Sequence, residues 1–283
     1  MTITIAWTRS VHNTNELLLA SDSRLSGGGG YIDICQKVFP LPRGDVGVGF
    51  CGTTSRAYPL ILQMIGYVNN YAKALARGFD ITDMRKVIIE IMNEFRSSYA
   101  RTIDLDMTDD DDITLFILAG FSWKLGRYCI YTLHFDHGIQ RYTFRPAGLW
   151  GGQRVATPEH GKRIAVVGDY SLEFREKLRS LLQKRNRISA GGFDMEPFEV
   201  LVRMLNSQKY TERRLQGSGL IGGAPQLIKI YKYGSTLPYA VRMKTRGDRF
   251  LFGRKLLPFE LTTYPIITAS TLRTQYPLNN LSN

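Results

Sequence analysis

Apolar and polar residues alternate over positions 2–7, with Ile3, Ile5 and Trp7 at the apolar places. This period of two is typical of a half-buried strand. A cluster of turn residues follows, and the apolar run at 16–20 predicts a second strand that returns beside the first. Such a hairpin brings the residues that follow its second strand back to the start of the chain.

The rest of the chain alternates between strand and helix patterns. A third strand is predicted over residues 31–41, with four side chains on one face: Asp33, Cys35, Lys37 and Phe39. The later elements are predicted as helices at 54–76 and 83–100 (N-cap Thr82), strands at 114–121, 127–135 and 140–144, helices at 172–184 and 196–209, and strands at 226–232 and 239–243. This order is expected for two sheets packed face to face with helices outside.

Composition limits the class of protein. A chain of 283 residues that is 43% hydrophobic can bury a sizeable core, and we interpret it as a single domain over 1–283, with a proline-containing C-terminal extension from about residue 244. No apolar run reaches the roughly 18 residues that a membrane helix needs, and no signal-peptide pattern is present. Three cysteines without Cys-x-x-Cys spacing indicate a reduced, cytoplasmic protein.

Position 2 carries the first candidate for chemistry. A small residue there permits removal of Met1, which would leave Thr2 with a free α-amine. The reference pKa of such an amine is about 7.7–8.0, so near neutral pH it can accept the proton of the Thr2 hydroxyl. One residue can therefore supply both nucleophile and base. Alternatively, Thr2 is simply the first residue of an edge strand.

Lys37 is the second candidate, because it shares a predicted strand face with apolar side chains. A lysine in that setting needs a carboxylate partner unless it reaches solvent. Asp22, which follows the second strand of the hairpin, is the candidate partner. A Lys37–Asp22 pair would hold a positive charge beside the Thr2 hydroxyl and lower its pKa.

Taken in order, four features resemble the proteasome β-subunit family of N-terminal-nucleophile hydrolases, and especially the bacterial proteasome-like group called Anbu. The features are Thr2, the Ala-Ser-Asp-Ser-Arg segment at 20–24, Lys37, and the Gly-rich segment 47–54 that leads into a long helix. The match covers residues 2–78 and continues more loosely to about 242. It implies an α+β fold built as a four-layer αββα sandwich, and a threonine-type peptidase or amidohydrolase.

The resemblance also implies residue roles. Thr2 would be the nucleophile, Asp22 and Lys37 would complete the charge arrangement, and Arg24 would brace the turn. The N–H of Gly52 would donate to the oxyanion. Six residues would line the pocket for the residue before the scissile bond: Leu25, Cys35, Phe39, Phe50, Thr54 and Tyr58.

The second half departs from the family pattern at two turns. Residues 164–171 stand where the family places a Gly-Ser pair that supports the terminal amine, so Asp169 or Ser171 must take that role. Residues 217–223 match a turn that usually holds an aspartate followed by a serine, and those places fall on Ser218 and Ile221. The loss of that aspartate weakens the expected hydrogen bonding around the amine.

Other readings remain open. A formal charge of +12 could favour an acidic partner, but no nucleic-acid motif is present, so nucleic-acid binding is not expected. The acidic run 109–112 and the His134–His137 segment fit a solvated loop and a turn better than a metal site, and neither a metal nor a cofactor is expected.

The alternative function is that of a catalytically silent, proteasome-like assembly or binding subunit that retains Met1.

For the active form, the expected partners are a peptide or unfolded-protein substrate and further copies of the chain, as a ring or a helical assembly. An unfoldase partner is left open. The C-terminal extension is expected to act as an oligomer arm or a surface wrap.

Overall fold

The computed structural model describes residues 2–11, 14–27, 30–100, 114–152, 161–189, 191–212, 221–243 and 247–277. The helices are α1 (Thr54–Asn70), α2 (Ala72–Leu75), α3 (Ile81–Ala100), α4 (Ser171–Lys184), α5 (Glu196–Leu205) and α6 (Gln208–Thr211). The strands are β1 (Ile3–Val11), β2 (Thr14–Ser21), β3 (Leu25–Gly27), β4 (Gly30–Ile32), β5 (Val38–Pro40), β6 (Val46–Cys51), β7 (Leu115–Ser122), β8 (Arg127–Asp136), β9 (Arg141–Pro146), β10 (Ile164–Gly168), β11 (Gln226–Tyr231), β12 (Ser235–Arg242), β13 (Arg249–Leu251), β14 (Arg254–Lys255), β15 (Ile266–Thr268) and β16 (Thr274–Gln275).

Two mainly antiparallel sheets form the framework. The first has the order β10-β1-β2-β11-β12-β13-β14, and β15 joins it in parallel beside β12 with β16 outside. The second has the order β5-β6-β7-β8-β9, and β3 pairs with β4 as a separate hairpin. The alternating start of the chain does form the predicted hairpin, in which Thr4 is paired with Ser21.

Buried side chains form three main clusters. One lies between the two sheets and includes Leu19, Ile117 and Ile228. The opposite face of the first sheet packs against α4 and α5, and the opposite face of the second sheet packs against α1 and α3. The architecture is therefore mixed α/β, with helices on the outer side of each sheet.

Glycine brings the two sheets close together beside the start of β1. Gly49 lies on the face of β6 that meets the first sheet, and a Cβ there would lie 2.7 Å from the Thr4 methyl group. The close approach lets the Thr4 hydroxyl donate to the carbonyl of Phe50 at 2.7 Å. The alternation of valine and glycine in β6 thus ties this strand to the strand that begins with Ile3.

The predicted third strand is wrong as a continuous element. Residues 33–37, which join β4 to β5, are irregular because several of their backbone groups bind partners outside a strand ladder. The Cys35 N–H donates to the Ser23 carbonyl at 3.1 Å, and the Lys37 N–H donates to the Gln226 side chain at 3.0 Å. Lys37 therefore lies on an irregular segment and not on a pleated face.

The first two predicted helices also need correction. The helix predicted over 54–76 is broken at Tyr71, whose backbone is extended, so α1 and α2 are separate. The next helix begins at Ile81, and its N-cap is Asp80, not Thr82: the Asp80 carboxylate accepts from the Thr82 N–H at 2.9 Å.

The described part of the C-terminal extension is attached to the chain's own sheet. Strands β13 to β16 continue the first sheet beyond β12. This packing agrees with a wrap on the chain's own surface. Across the residues that the structure describes, no helix combines the length and apolar character needed to span a membrane.

Candidate active site

Thr2, Asp22 and Lys37 meet at one end of the first sheet. The Lys37 ammonium donates to Thr2 Oγ1 at 2.7 Å and to Asp22 Oδ1 at 2.9 Å. Thr2 is 1% exposed, and Asp22 and Lys37 are fully buried. A positive charge is thus held against the hydroxyl oxygen in a water-excluded place, where charge interactions are strong.

The Asp22 carboxylate is fixed by the backbone as well as by Lys37. It accepts hydrogen bonds from the N–H groups of Ile3, Arg24 and Gly222 at 3.1–3.2 Å. These donors come from β1, from the turn after β2 and from the segment before β11. Three such bonds satisfy the carboxylate oxygens and set their position beside Lys37.

Complete burial lowers the pKa of Lys37 from the ordinary lysine value, because the charged form loses its hydration. The Asp22 carboxylate opposes that shift through its charge and its hydrogen bond. The ammonium and carboxylate therefore depend on each other, since either charge left alone at this depth would be costly.

Gln226 completes the site, and the sequence reading did not assign it a role. Its side-chain nitrogen donates to the carbonyls of Asp22 and Cys35 at 3.0 and 2.7 Å, and its oxygen accepts from the Lys37 N–H. One amide thus holds the segments that carry the carboxylate and the ammonium. The signal in the sequence was a glutamine at the start of an apolar strand, which needs buried hydrogen-bond partners.

Asp169, and not Ser171, contacts the nitrogen of Thr2. Its carboxylate accepts from that nitrogen at 2.8 Å, and its own N–H donates to the Thr2 carbonyl at 3.1 Å. Ser171 begins α4, and Ser218 lies outside the described residues. Ile221, the other residue of that late turn, is fully buried in the core under the first sheet.

Gly168 allows this contact with Thr2. Its φ is +111°, and a Cβ on it would lie 1.9 Å from the Thr2 carbonyl oxygen. Any side chain would therefore separate β10 from the first residues of β1. The glycine positions both Asp169 and Thr2, although the sequence reading treated it only as part of a strand end.

Gly168→Ala should lower the free energy of unfolding by about 4 kcal/mol, because the new methyl group clashes with backbone and the φ is strained. Gly126→Ala is the matched control, with a positive φ but open space around its Cβ, and it should cost about 1 kcal/mol. Urea denaturation compares the two. Equal losses would mean that the close contact at Gly168 contributes nothing.

Arg24 follows β2 and binds two segments that are distant from it in the chain. Its guanidinium makes a two-pronged ion pair with Asp33 at 2.6 and 2.8 Å and donates to the Thr211 carbonyl at 2.7 Å. It also lies over the ring of Tyr31 at 3.9 Å. Asp33 is therefore neutralised by Arg24 beside the predicted pocket.

Gly52 follows β6 directly, with a φ of +100°, and leads through Thr53 into α1. The turn is tied to β7 by the Thr53 N–H, which donates to the Thr114 hydroxyl at 3.2 Å. A positive φ at the end of a strand turns the backbone sharply. The role of the Gly52 N–H toward an oxyanion stays a prediction.

Three of the predicted pocket residues form an aromatic cluster. Ring centroids lie 6.5 Å apart for Phe39 and Phe50, 6.3 Å for Phe39 and Tyr58, and 5.5 Å for Phe50 and Tyr58. Leu25 packs against the same cluster, which continues into the core beneath α1. Thr54, the first residue of α1, is half-buried.

The polar groups of this cluster are neutral near pH 7. Burial raises the pKa of the Cys35 thiol, and burial with the nearby Cys35 raises the pKa of Tyr58 to about 12. The Tyr58 hydroxyl donates to the Gln36 carbonyl at 3.1 Å. An apolar cluster with an uncharged thiol and phenol favours uncharged side chains of a substrate.

Two further clusters were considered in the sequence for metal binding. Among the described residues, no three histidine, cysteine or carboxylate side chains come together as ligands. The acidic run 109–112 lies outside those residues. His134 is part of β8 and is 8% exposed, so the expected turn begins only after Asp136.

Two solved structures resemble this fold over most of both chains. The first, a Gly-1 mutant of Anbu from Hyphomicrobium sp. strain MC1, has a TM-score of 0.50 and 15% sequence identity, covering 82% of this chain and 81% of that one. The second, Anbu from Yersinia bercovieri, described as an ancestral β-subunit, has a TM-score of 0.55 and 11% identity, covering 83% and 86%. No family model and no curated protein matches the sequence. At this identity the likeness concerns the fold alone, and it confirms the resemblance to Anbu.

Proposed function

We propose that this chain, whose fold is that of the Anbu proteins, is a threonine-type N-terminal-nucleophile hydrolase that acts on peptide bonds once Met1 is removed. The observation that carries the proposal is the buried contact of the Lys37 ammonium with Thr2 Oγ1 at 2.7 Å and with Asp22 at 2.9 Å. A structural lysine needs only its carboxylate. The additional contact with a hydroxyl on the second residue is what a nucleophile requires.

In the proposed reaction, Thr2 Oγ1 attacks the carbonyl carbon of the scissile bond and its proton passes to the Thr2 α-amine. The Lys37 charge stabilises the alkoxide as it forms. The resulting oxyanion accepts from the Gly52 N–H. Its collapse breaks the C–N bond, and the leaving amine takes the proton from the α-amine. Water, activated by the same amine, then hydrolyses the ester on Thr2.

Asp169 is proposed to hold the terminal amine. Its carboxylate accepts a hydrogen bond from the Thr2 nitrogen at 2.8 Å. One hydrogen of the free amine would therefore point toward Asp169, and the nitrogen lone pair would be directed away from it. Asp169 thus replaces the hydrogen bonding that the family obtains from other residues.

The mass of the intact native protein tests this proposal. We expect a chain that begins at Thr2 and that cleaves a fluorogenic peptide, because a retained Met1 ties the amine into a peptide bond and removes the base. A fully retained Met1 in protein from its own host would contradict the catalytic reading. It would favour the alternative, a silent assembly or binding subunit with the same fold.

The remaining parts of the proposal concern architecture and setting. The three buried clusters support a four-layer αββα arrangement, since each sheet has helices on its outer face and the other sheet on its inner face. The description of the Yersinia bercovieri protein as a β-subunit supports assembly through copies of this chain. We further propose a cytoplasmic location, based on three unpaired cysteines.

Cleavage should favour small or medium apolar residues before the scissile bond. Phe50 is fully buried against Tyr58, so Phe50→Ala should open space and raise kcat/KM for larger apolar residues by about tenfold. A panel of peptides that differ at this one residue measures the effect. Phe174→Ala, in the core beneath α4 on the other sheet, is the control for general loosening. An equal change in both variants would mean that Phe50 does not shape the pocket.

A further inference from the structure

A second concave site lies at the opposite end of the two sheets. It is a cavity of about 390 Å³. Its walls come from the far part of β1, the start of β2, the β7–β8 turn, the residue before β10 and the end of β11. Thr8 of β1 lines it, six residues along the strand from Thr2. At about 3.3 Å per residue, the cavity is roughly 20 Å from the candidate active site.

Among the residues that the structure describes, three cations line this cavity: Arg127, Arg163 and Lys232. In the same part of the chain, no lining residue is acidic, and no carboxylate pairs with Arg127 or Lys232. The nearby Glu16 is bound by Arg9 and Lys229, at 3.1 and 3.4 Å. Positive charge is thus concentrated in a concave site with aromatic walls, which focuses an attractive potential for anions.

The arginines lie close enough to repel each other. Burial lowers the pKa of Arg163, and the charge of Arg127 lowers it further. The Arg163 guanidinium donates to the Ala147 carbonyl at 3.4 Å, which holds it in the wall. A bound anion between the two guanidinium groups would offset the repulsion between them. It would also accept hydrogen bonds from both guanidinium groups, each of which can donate two in parallel.

Aromatic rings complete the walls. The Lys232 ammonium lies over the rings of Phe121 and Tyr233, 5.5 and 5.6 Å from their centroids. The Tyr128 hydroxyl donates to the Asn15 carbonyl at 3.0 Å, and burial raises the pKa of Tyr128 to about 12, so it adds no negative charge. These rings suit the organic body of a small molecule.

We propose that this cavity binds a small molecule through a phosphate or carboxylate group held by Arg127, Arg163 and Lys232. The site is separate from Thr2, and its occupation does not depend on whether the chain is a hydrolase. The volume and the mixed cationic and aromatic lining fit a ligand larger than a simple ion.

Calorimetric titration of the full chain with pyrophosphate and with citrate, at constant ionic strength and with chloride as background, tests the proposal. We expect saturable binding of at least one of them, and a loss of about tenfold or more in affinity for Arg127→Gln and for Lys232→Gln. Binding of pyrophosphate alone assigns a phosphate group, and binding of citrate alone assigns a carboxylate group.

Arg141→Gln is the matched control, because it removes one positive charge from an exposed pair with Glu90 elsewhere. It should bind like the unsubstituted protein. Without ligand, Arg127→Gln should also unfold at the same temperature as the unsubstituted protein or at a higher one, since the substitution relieves repulsion with Arg163. The proposal would be overturned if the heat of binding did not saturate as either anion is added, or if Arg141→Gln lost as much affinity as Arg127→Gln. Either result would indicate diffuse charge attraction.

Discussion

Lys37→Ala should reduce turnover by about four orders of magnitude, because residues that act as a unit lose nearly all activity together. The variant removes the charge that stabilises the Thr2 alkoxide. Among the described residues, it also leaves Asp22 with three backbone donors. A fluorogenic peptide assay at saturating substrate measures the loss, and Asp22→Asn should behave in the same way.

Lys229→Ala is the control for Lys37→Ala. Lys229 is 6% exposed in the first sheet and is paired with Glu16 at 3.4 Å, so its removal also breaks a nearly buried ion pair. Both variants should lose stability, but only Lys37→Ala should lose turnover. Activity near that of the unsubstituted protein in Lys37→Ala would remove Lys37 from the reaction.

The pH profile distinguishes two roles for Lys37. Its pKa lies below the ordinary lysine value, so alkaline solution removes its proton before that of an exposed lysine. If the ammonium stabilises the alkoxide, turnover falls as the pH rises through this pKa. If neutral Lys37 were the base, turnover would rise instead. Lys229→Ala should keep the profile of the unsubstituted protein.

Thr2→Val should abolish turnover to the background of the assay, whereas Thr2→Ser should keep a measurable part of it. Valine has the shape of threonine without the hydroxyl, so it leaves no cavity and removes only the nucleophile and the Lys37 contact at 2.7 Å. The lost hydrogen bond should cost about 1 kcal/mol. In the unsubstituted protein, mass spectrometry of a reaction stopped before hydrolysis should find the acyl group on Thr2.

A valine variant that still cleaves peptides would show that another group attacks, and the proposed mechanism would be wrong. Activity should be compared between chains whose Met1 has been removed. Both valine and serine at position 2 are small enough to permit that removal. Loss of activity in Thr2→Ser with Met1 still attached would therefore report processing and not chemistry.

Periodic elements were predictable from the sequence because their cause is local. The alternation at 2–7 and the apolar run at 16–20 specified the hairpin, and the helical stripe after residue 53 specified α1. Prediction of the irregular segment 33–37 failed, because Gln226, nearly two hundred residues later, takes hydrogen bonds that a strand would otherwise use. No local pattern contains that partner.

The sequence by itself determined which groups could react: a hydroxyl on residue 2, a lysine among apolar neighbours and an aspartate after a returning strand. Only the tertiary structure decided that they meet, because the close packing at Gly49 and Gly168 and the amide of Gln226 join segments that are distant in the chain. It also decided between Asp169 and Ser171, since the turn after Gly168 directs one carboxylate to the Thr2 nitrogen. Residue types fix the chemistry that is available, whereas long-range packing fixes distances, and the electrostatic effect of a buried charge depends on distance.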